Sequence, residues 1–144
     1  MPDLDPRLSI QDVMTRAAIT ARPDTSIDTL IDLMTEHHIG CIPIVDDHGR
    51  PTGIVTKLDL IECRRDARPT AREVMMPHAM TLGPTATIAQ AAARMSNEGF
   101  HHLLVVDADR KLLGVVSTLD LVRWIAGNSA PLDRPDPAYI ARMH

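Results

Sequence analysis

The sequence predicts an α/β fold made of two like units whose sheets pack face to face. Three observations carry this expectation. The chain repeats itself at a fixed spacing, each copy alternates helical and extended patterns, and one copy alone is too small to bury its own sheet. Displacing the sequence by 61 residues aligns 13–61 with 74–122 without a gap. Of the 49 aligned positions 14 are identical, among them Val13/Val74, Met14/Met75, Thr20/Thr81, Pro23/Pro84, Ile27/Ile88, Met34/Met95, Asp46/Asp107, Gly53/Gly114 and Asp59/Asp120. An ordinary composition would give roughly a fifth of that by chance.

Each copy opens with a short extended piece, "AIT" at 18–20 or "AMT" at 79–81, stopped by Pro23 or Pro84. A helix follows. Its apolar positions, Ile27, Leu30, Ile31 and Met34 or Ile88, Ala91, Ala92 and Met95, recur at the spacing of one helical face. Thr25, Ser26 and Thr87 are its candidate N-caps, and Gly40 and Gly99 lie near its ends. Two β-rich runs come next, "CIPIVD" and "PTGIVT" around the turn "DHGR", or "HLLVVD" and "LLGVVS" around "ADRK". A second helix then runs through "LDLIECRR" or "LDLVRWIA".

The unit is therefore β-α-β-β-α, and stacking two of them sheet to sheet would let them share one core. The chain divides into a lead-in at 1–12, unit one at 13–66, a linker at 67–73, unit two at 74–127 and a tail at 128–144. "SIQDVM" at 9–14 and "TAREVM" at 70–75 read as short helical turns, and Thr70 and Glu73 have the spacing of a capping box. The proline-containing tail reads as loose or surface-docked.

Composition narrows the function. One Phe, one Tyr and one Trp leave an aliphatic core and no stacking platform for single-stranded nucleic acid, and a net charge of −4 gives no general pull toward phosphate backbones. No nucleic-acid partner is expected. The start lacks the pattern of a signal peptide, no apolar run has the length of a membrane span, and Cys41 and Cys63 form no disulfide framework. The expectation is a soluble cytoplasmic protein with no membrane association. His37, His38, Cys41 and His48 match no zinc spacing, so no metal site is expected. With no nucleophile arrangement and no phosphate loop in view, no catalytic residue is expected either, and the chain reads as a non-enzyme.

The residues that invite chemistry are written twice. "GIVTKLDL" at 53–60 returns as "GVVSTLDL" at 114–121. Locally this is helix punctuation: Thr56 and Ser117 cap a helix start, while Asp59 and Asp120 favour its positive dipole end. The same geometry can bind a ligand. A helix start beside a glycine suits an anion, and a carboxylate one turn on can accept both hydroxyls of a ribose.

The span 13–122 carries "VMT", a Thr-x-x-Pro-x-x-x-Ile pattern, "IPIVD" and the Gly-x-x-Ser/Thr-x-x-Asp motif in order, and it covers about three quarters of the chain. It resembles a tandem pair of cystathionine-β-synthase (CBS) domains, the Bateman module. The resemblance implies two units in pseudo-two-fold symmetry, with clefts between them for an adenosine ligand. Candidates are AMP, ADP or ATP, with S-adenosylmethionine and NAD as further ones, and no cofactor is required. By position, Asp59 with Thr56 and Asp120 with Ser117 would meet ribose and phosphate. The adenine walls would come from Thr20, Ala21, Pro23, Cys41, Ile42 and Val55 in one copy. Thr81, Leu82, Pro84, His102, Leu103 and Val116 would supply them in the other.

Before the second strand, copy one has Gly40 and Cys41 where copy two has His101 and His102. If these imidazoles met phosphate, nucleotide affinity would weaken between about pH 6 and pH 8. The family resemblance also implies a face-to-face homodimer to which the second helices, with Trp124, contribute. The function expected is a regulatory adenosine sensor acting on a partner in trans. The alternative is a structural or interaction dimer whose motifs only cap helices.

Overall fold

The computed structural model of the chain describes residues 8–127; the expectations for the first seven residues and for the tail at 128–144 lie outside them. Its elements are β1 (Thr15–Arg16), α1 (Ile27–His37), β2 (Cys41–Val45), β3 (Pro51–Thr56), α2 (Lys57–Glu62), α3 (Ala71–Val74), β4 (Met76–Pro77), β5 (Thr81–Leu82), α4 (Ile88–Glu98), β6 (His102–Val106), β7 (Leu112–Ser117) and α5 (Thr118–Ile125). A single 3₁₀ turn at Ile10–Asp12 precedes β1. The four long strands and four main helices fall where the sequence places them, except that α2 stops at Glu62, short of the expected "LDLIECRR", and a 3₁₀ turn at Arg65–Ala67 follows.

The helix starts are chemically fixed. Ser26 Oγ accepts the Thr29 N–H at 3.2 Å and begins α1, which buries Ile27, Leu30 and Met34. In α4, Thr87 Oγ1 accepts the Gln90 N–H at 3.0 Å while Gln90 Oε1 accepts the Thr87 N–H at 2.9 Å, and Ile88, Ala91 and Met95 are buried. The helix ends differ. Gly99 closes α4 at φ 71°, whereas α1 ends on His38 at φ 51°, two residues before the expected Gly40. Glycine adopts this left-handed conformation freely and histidine does so at some cost.

The sheets reveal an exchange between the units. One sheet has the order β1-β7-β6-β5 and the other β2-β3-β4. β1, at the start of the first repeat, pairs antiparallel with β7 of unit two (Thr15 opposite Val115). β4, at the start of the second repeat, pairs with β3 of unit one (Ile54 opposite Met76). The turns ahead of these strands cross in the same way. The Ile10 and Gln11 N–H groups donate to the carbonyls of Ala86 and Pro84, and those of Ala71 and Arg72 donate to Thr25 and Pro23. Every one of these contacts recurs at the 61-residue offset, so each lead-in completes the opposite unit.

The crossing explains the repeated glycines. A Cβ on Gly53 would lie 2.7 Å from Met75 Sδ and 2.7 Å from the Met76 carbonyl oxygen; one on Gly114 would lie equally close to Met14 Sδ and the Thr15 carbonyl. The room beside each glycine is thus filled by the incoming lead-in, not held open for an anion.

The expectation of one shared core is corrected. Unit two has its own, in which Ile88, Met95, Leu103, Val105 and Val116 enclose Ile10 and Met14 of the crossing segment. Unit one has another, built on Ile27, Leu30, Ile42, Ile44 and Val55, with Ala71 from the opposite lead-in. Between the sheets Ile54, Leu104 and Val115 form a small buried cluster, flanked by Ala18, Cys41, Ala79 and Leu112, and Pro43 on the same face is fully buried too. The helices cover the outer face of each sheet, so the inner faces meet through a thin apolar layer. At the hairpin ends, Arg50 Nε donates to the Asp109 carbonyl at 2.9 Å and the Leu112 N–H to the Gly49 carbonyl at 3.0 Å.

Gly53→Ala and Gly114→Ala should each destabilise the fold by about 1–3 kcal/mol, the usual cost of overpacking. Gly83→Ala, with nothing within 4 Å of its Cβ, should leave stability unchanged. Urea unfolding of the three variants checks this.

Candidate functional site

Both hydroxyl–Asp pairs close the first turn of a helix. Asp59 Oδ2 accepts the Thr56 N–H at 2.7 Å and the Thr56 hydroxyl at 3.0 Å, while Thr56 Oγ1 accepts the Asp59 N–H at 3.4 Å. Asp120 Oδ2 accepts the Ser117 N–H at 2.7 Å, and Ser117 Oγ accepts the Asp120 N–H at 3.2 Å. The first N–H of each helix is also taken: Lys57 donates to the Gly40 carbonyl and Thr118 to the His101 carbonyl. These bonds hold each Asp rigidly beside the start of its unit's second strand.

A cleft of about 380 Å³ opens between the units at Ser117 and Asp120. Unit two lines it with His102, Val115, Ser117, Leu119, Asp120 and Arg123. Across from these stand Thr15, Ala18 and Ile19 of the crossing lead-in and its sequel, the end of α1 at His37–Gly40, and Cys41 and Pro43 of β2. The walls are mainly apolar, with one carboxylate and one guanidinium among the lining residues. This volume and mixture suit a small organic ligand with a few polar anchors.

Of the expected site residues the cleft gathers Cys41, His102, Ser117 and Asp120. Ile42, Val55, Leu103 and Val116 are corrected: each is fully buried within the core of its own unit. Adjacent strand residues point to opposite faces. With Cys41, Pro43, His102 and Val115 facing the other unit, their neighbours turn to the helices. Ala21 also belongs to unit one's core, where its N–H and carbonyl join β2 through Pro43 and Val45. Thr20 is exposed, and neither it nor Pro23, Thr81, Leu82, Pro84 or His101 lines this cleft. Asp59 lines a separate groove of about 350 Å³ with Glu62, Cys63 and Glu73. Lys57 is exposed, and Arg22 pairs with Asp47 at the surface.

Leu119, Arg123, Pro43, Ala18 and the 37–40 segment were not expected in the site. Arg123 had a legible signal, since it stands three residues beyond Asp120 and so shares its helix face. The 37–40 segment had none, because its approach depends on how the units pack.

Electrostatics set two of the cleft's groups. Burial, with the Asp120 charge adding to it, pushes the Cys41 thiol up to about 12. The thiolate is therefore suppressed and Cys41 acts as a neutral wall rather than a reactive thiol. Burial, aided by the neighbouring His101 and opposed by Asp120, holds His102 below the ordinary histidine range. His102 is then neutral near pH 7 and supplies no cation to a phosphate. The affinity change expected between about pH 6 and pH 8 is accordingly moved to lower pH. Among the described residues no cluster of His, Cys, Asp and Glu could hold a metal ion, and no helix is long and apolar enough to cross a membrane.

A duplicated unit with a cleft between its two halves is the build of a tandem domain pair. The CBS domain model matches residues 10–66 and 71–127, and the chain belongs to the CBS domain family. Its structure is similar to the CBS domain pair of protein MJ0100, solved in complex with methylthioadenosine and S-adenosyl-L-methionine. The two share 29% identity and a TM-score of 0.79, with 85% of this chain and 98% of that one covered. The chain is also similar to an L-aspartate semialdehyde sulfurtransferase of Methanocaldococcus jannaschii (29% identity over 88% of the chain) and to a homoserine O-acetyltransferase of Methanococcoides burtonii (32% over 81%). It spans about a quarter of the length of each, 25% and 24%.

His102 bears on stability as well. Its folded pKa lies below the unfolded one, so its stabilising contribution is present above the ordinary histidine range and is lost as pH falls through it. His102→Leu should therefore reduce the fall in melting temperature between about pH 7 and pH 5.5. Thermal melts across that range check it.

Proposed function

We propose that this CBS pair is a regulatory sensor that binds an adenosine-containing ligand in the cleft between its units and passes its occupancy to a partner protein in trans. The observation that carries the reading is the position of Asp120. Its Oδ2 is held by the cap, and its Oδ1, which takes no hydrogen bond among the described residues, is left to accept from a ribose diol. Cys41, Pro43, Ala18 and Val115 offer a neutral, mostly apolar wall for a purine. The complex of MJ0100, which aligns over nearly its full length at 29% identity, supports an adenosine ligand. Thr56 and Asp59 would form the equivalent receptor on unit one. Because the cleft is lined from both units, a ligand there would favour one relative arrangement of them, and that differential affinity is the switch.

A second reading, that the motifs only cap helices in a structural dimer, is favoured by the complete capping boxes at Thr56–Asp59 and Ser117–Asp120. A thermal-shift panel of AMP, ADP, ATP, S-adenosylmethionine, methylthioadenosine and NAD separates the two. A ligand at a hundredfold excess over its Kd should stabilise the fold by about 2.7 kcal/mol. Asp120→Asn should abolish the part due to this cleft. No shift with any compound would leave the capping reading standing.

We propose further that the chain forms a homodimer through α2 and α5. Leu58 and Leu119 are 59% and 55% exposed, and Ile61 and Val122 are 75% and 53% exposed. These are two pairs related by the 61-residue offset, so the apolar surface is itself duplicated, as a self-complementary contact requires. Trp124 is not part of it, since it packs against unit two's core. Ile61→Glu with Val122→Glu should convert a dimer to a monomer in light scattering.

A further inference from the structure

Arg123 is the permanent cation among the residues lining the Asp120 cleft, and its Nη1, shut off from solvent, has no hydrogen-bond partner among the described residues. A guanidinium keeps its charge at all working pH values and carries five donors but no acceptor. A buried donor of this kind is ordinarily satisfied, and on a side chain that lines a ligand-sized cleft it can be satisfied by a ligand's acceptor once the guanidinium turns toward it. Arg123 follows Asp120 by three residues on α5, which places it one turn along the same face, about 4.5 Å along the axis. A nucleoside whose diol meets Asp120 carries its 5′ substituent at a comparable reach.

The repeat breaks at this position. The residue three beyond Asp59 is Glu62, so the equivalent places in the two units carry opposite charge. Leu58/Leu119, Asp59/Asp120 and Leu60/Leu121 immediately before are identical. Other groups around the cleft do not replace the cation. His102 is held neutral, Cys41 remains a thiol, and Asp120 is the carboxylate among the lining residues; His37 and His38 stand on the opposite wall.

We infer that Arg123 makes the Asp120 cleft selective for adenosine ligands whose 5′ substituent is anionic, a phosphate or a carboxylate. This rests on the adenosine reading above and goes beyond it by assigning the ligand's charge and the residue that reads it. A planar fork of donors matches either acid group, and pairing it with Nη1 satisfies a donor that the described residues leave unpaired.

Calorimetry at pH 7.5 on the full chain carrying Asp59→Ala, which silences the other side, tests this with three ligands. AMP against adenosine isolates a phosphate; adenosine-5′-carboxylate against adenosine isolates a carboxylate. At least one of the two anions should bind about tenfold or more tighter than adenosine. Arg123→Met, which keeps the apolar stem, should erase that preference. Equal binding of all three ligands would overturn the inference while leaving the adenosine reading intact, and it needs no variant to be read. A preference that survives Arg123→Met would also overturn it. Failure of all three ligands to bind would sink both readings.

Discussion

The fold depends on a reciprocal exchange of chain between its halves. Each lead-in leaves its own unit, adds a short strand to the opposite sheet and inserts a methionine over that sheet's glycine. The fit is close on backbone as well as side chain, so it cannot be relieved by a rotamer change alone. Without the exchange, β3 and β7 would each expose an unpaired edge, and unit two's core would lose Ile10 and Met14. The thin layer between the sheets, only a handful of buried residues among those described, could hardly hold the units together on hydrophobic burial alone. Exchange of strands supplies what that layer lacks.

The site is a by-product of the same architecture. Because the inner sheet faces touch through few residues, a gap remains where β2 and β7 end, and the capped start of α5 projects Asp120 into it. The crossing segment then passes directly along this gap, contributing Thr15, Ala18 and Ile19. The helix cap of the repeated sentence leaves room for a second use of its carboxylate. The cap uses one carboxylate oxygen and fixes the direction of the other.

Much of this was legible in the sequence. The self-alignment located both units, and apolar periodicity located the helices because Ile27, Leu30 and Met34 obey a local geometric rule. The exchange was not legible, because a shift of 61 residues is satisfied equally by lead-ins that stay home and lead-ins that cross. The adenine wall was misassigned for a related reason. Consecutive residues such as Cys41–Ile42 or His102–Leu103 were grouped, but the pleat sends them to opposite faces. The neutral state of His102 also lay beyond the sequence, since burial beside another chain segment sets it. Arg123 against Glu62 could have been seen as an inversion of charge within an otherwise faithful repeat.

The crossing lead-ins mean that the unit of sequence and the unit of structure are out of step. A fragment ending near residue 66 would contain the turn and strand that belong to unit two while lacking Ala71, Met75 and β4, which complete unit one. The self-sufficient half of this molecule is thus discontinuous in the chain. A cut between the repeats would therefore leave both cores incomplete at once.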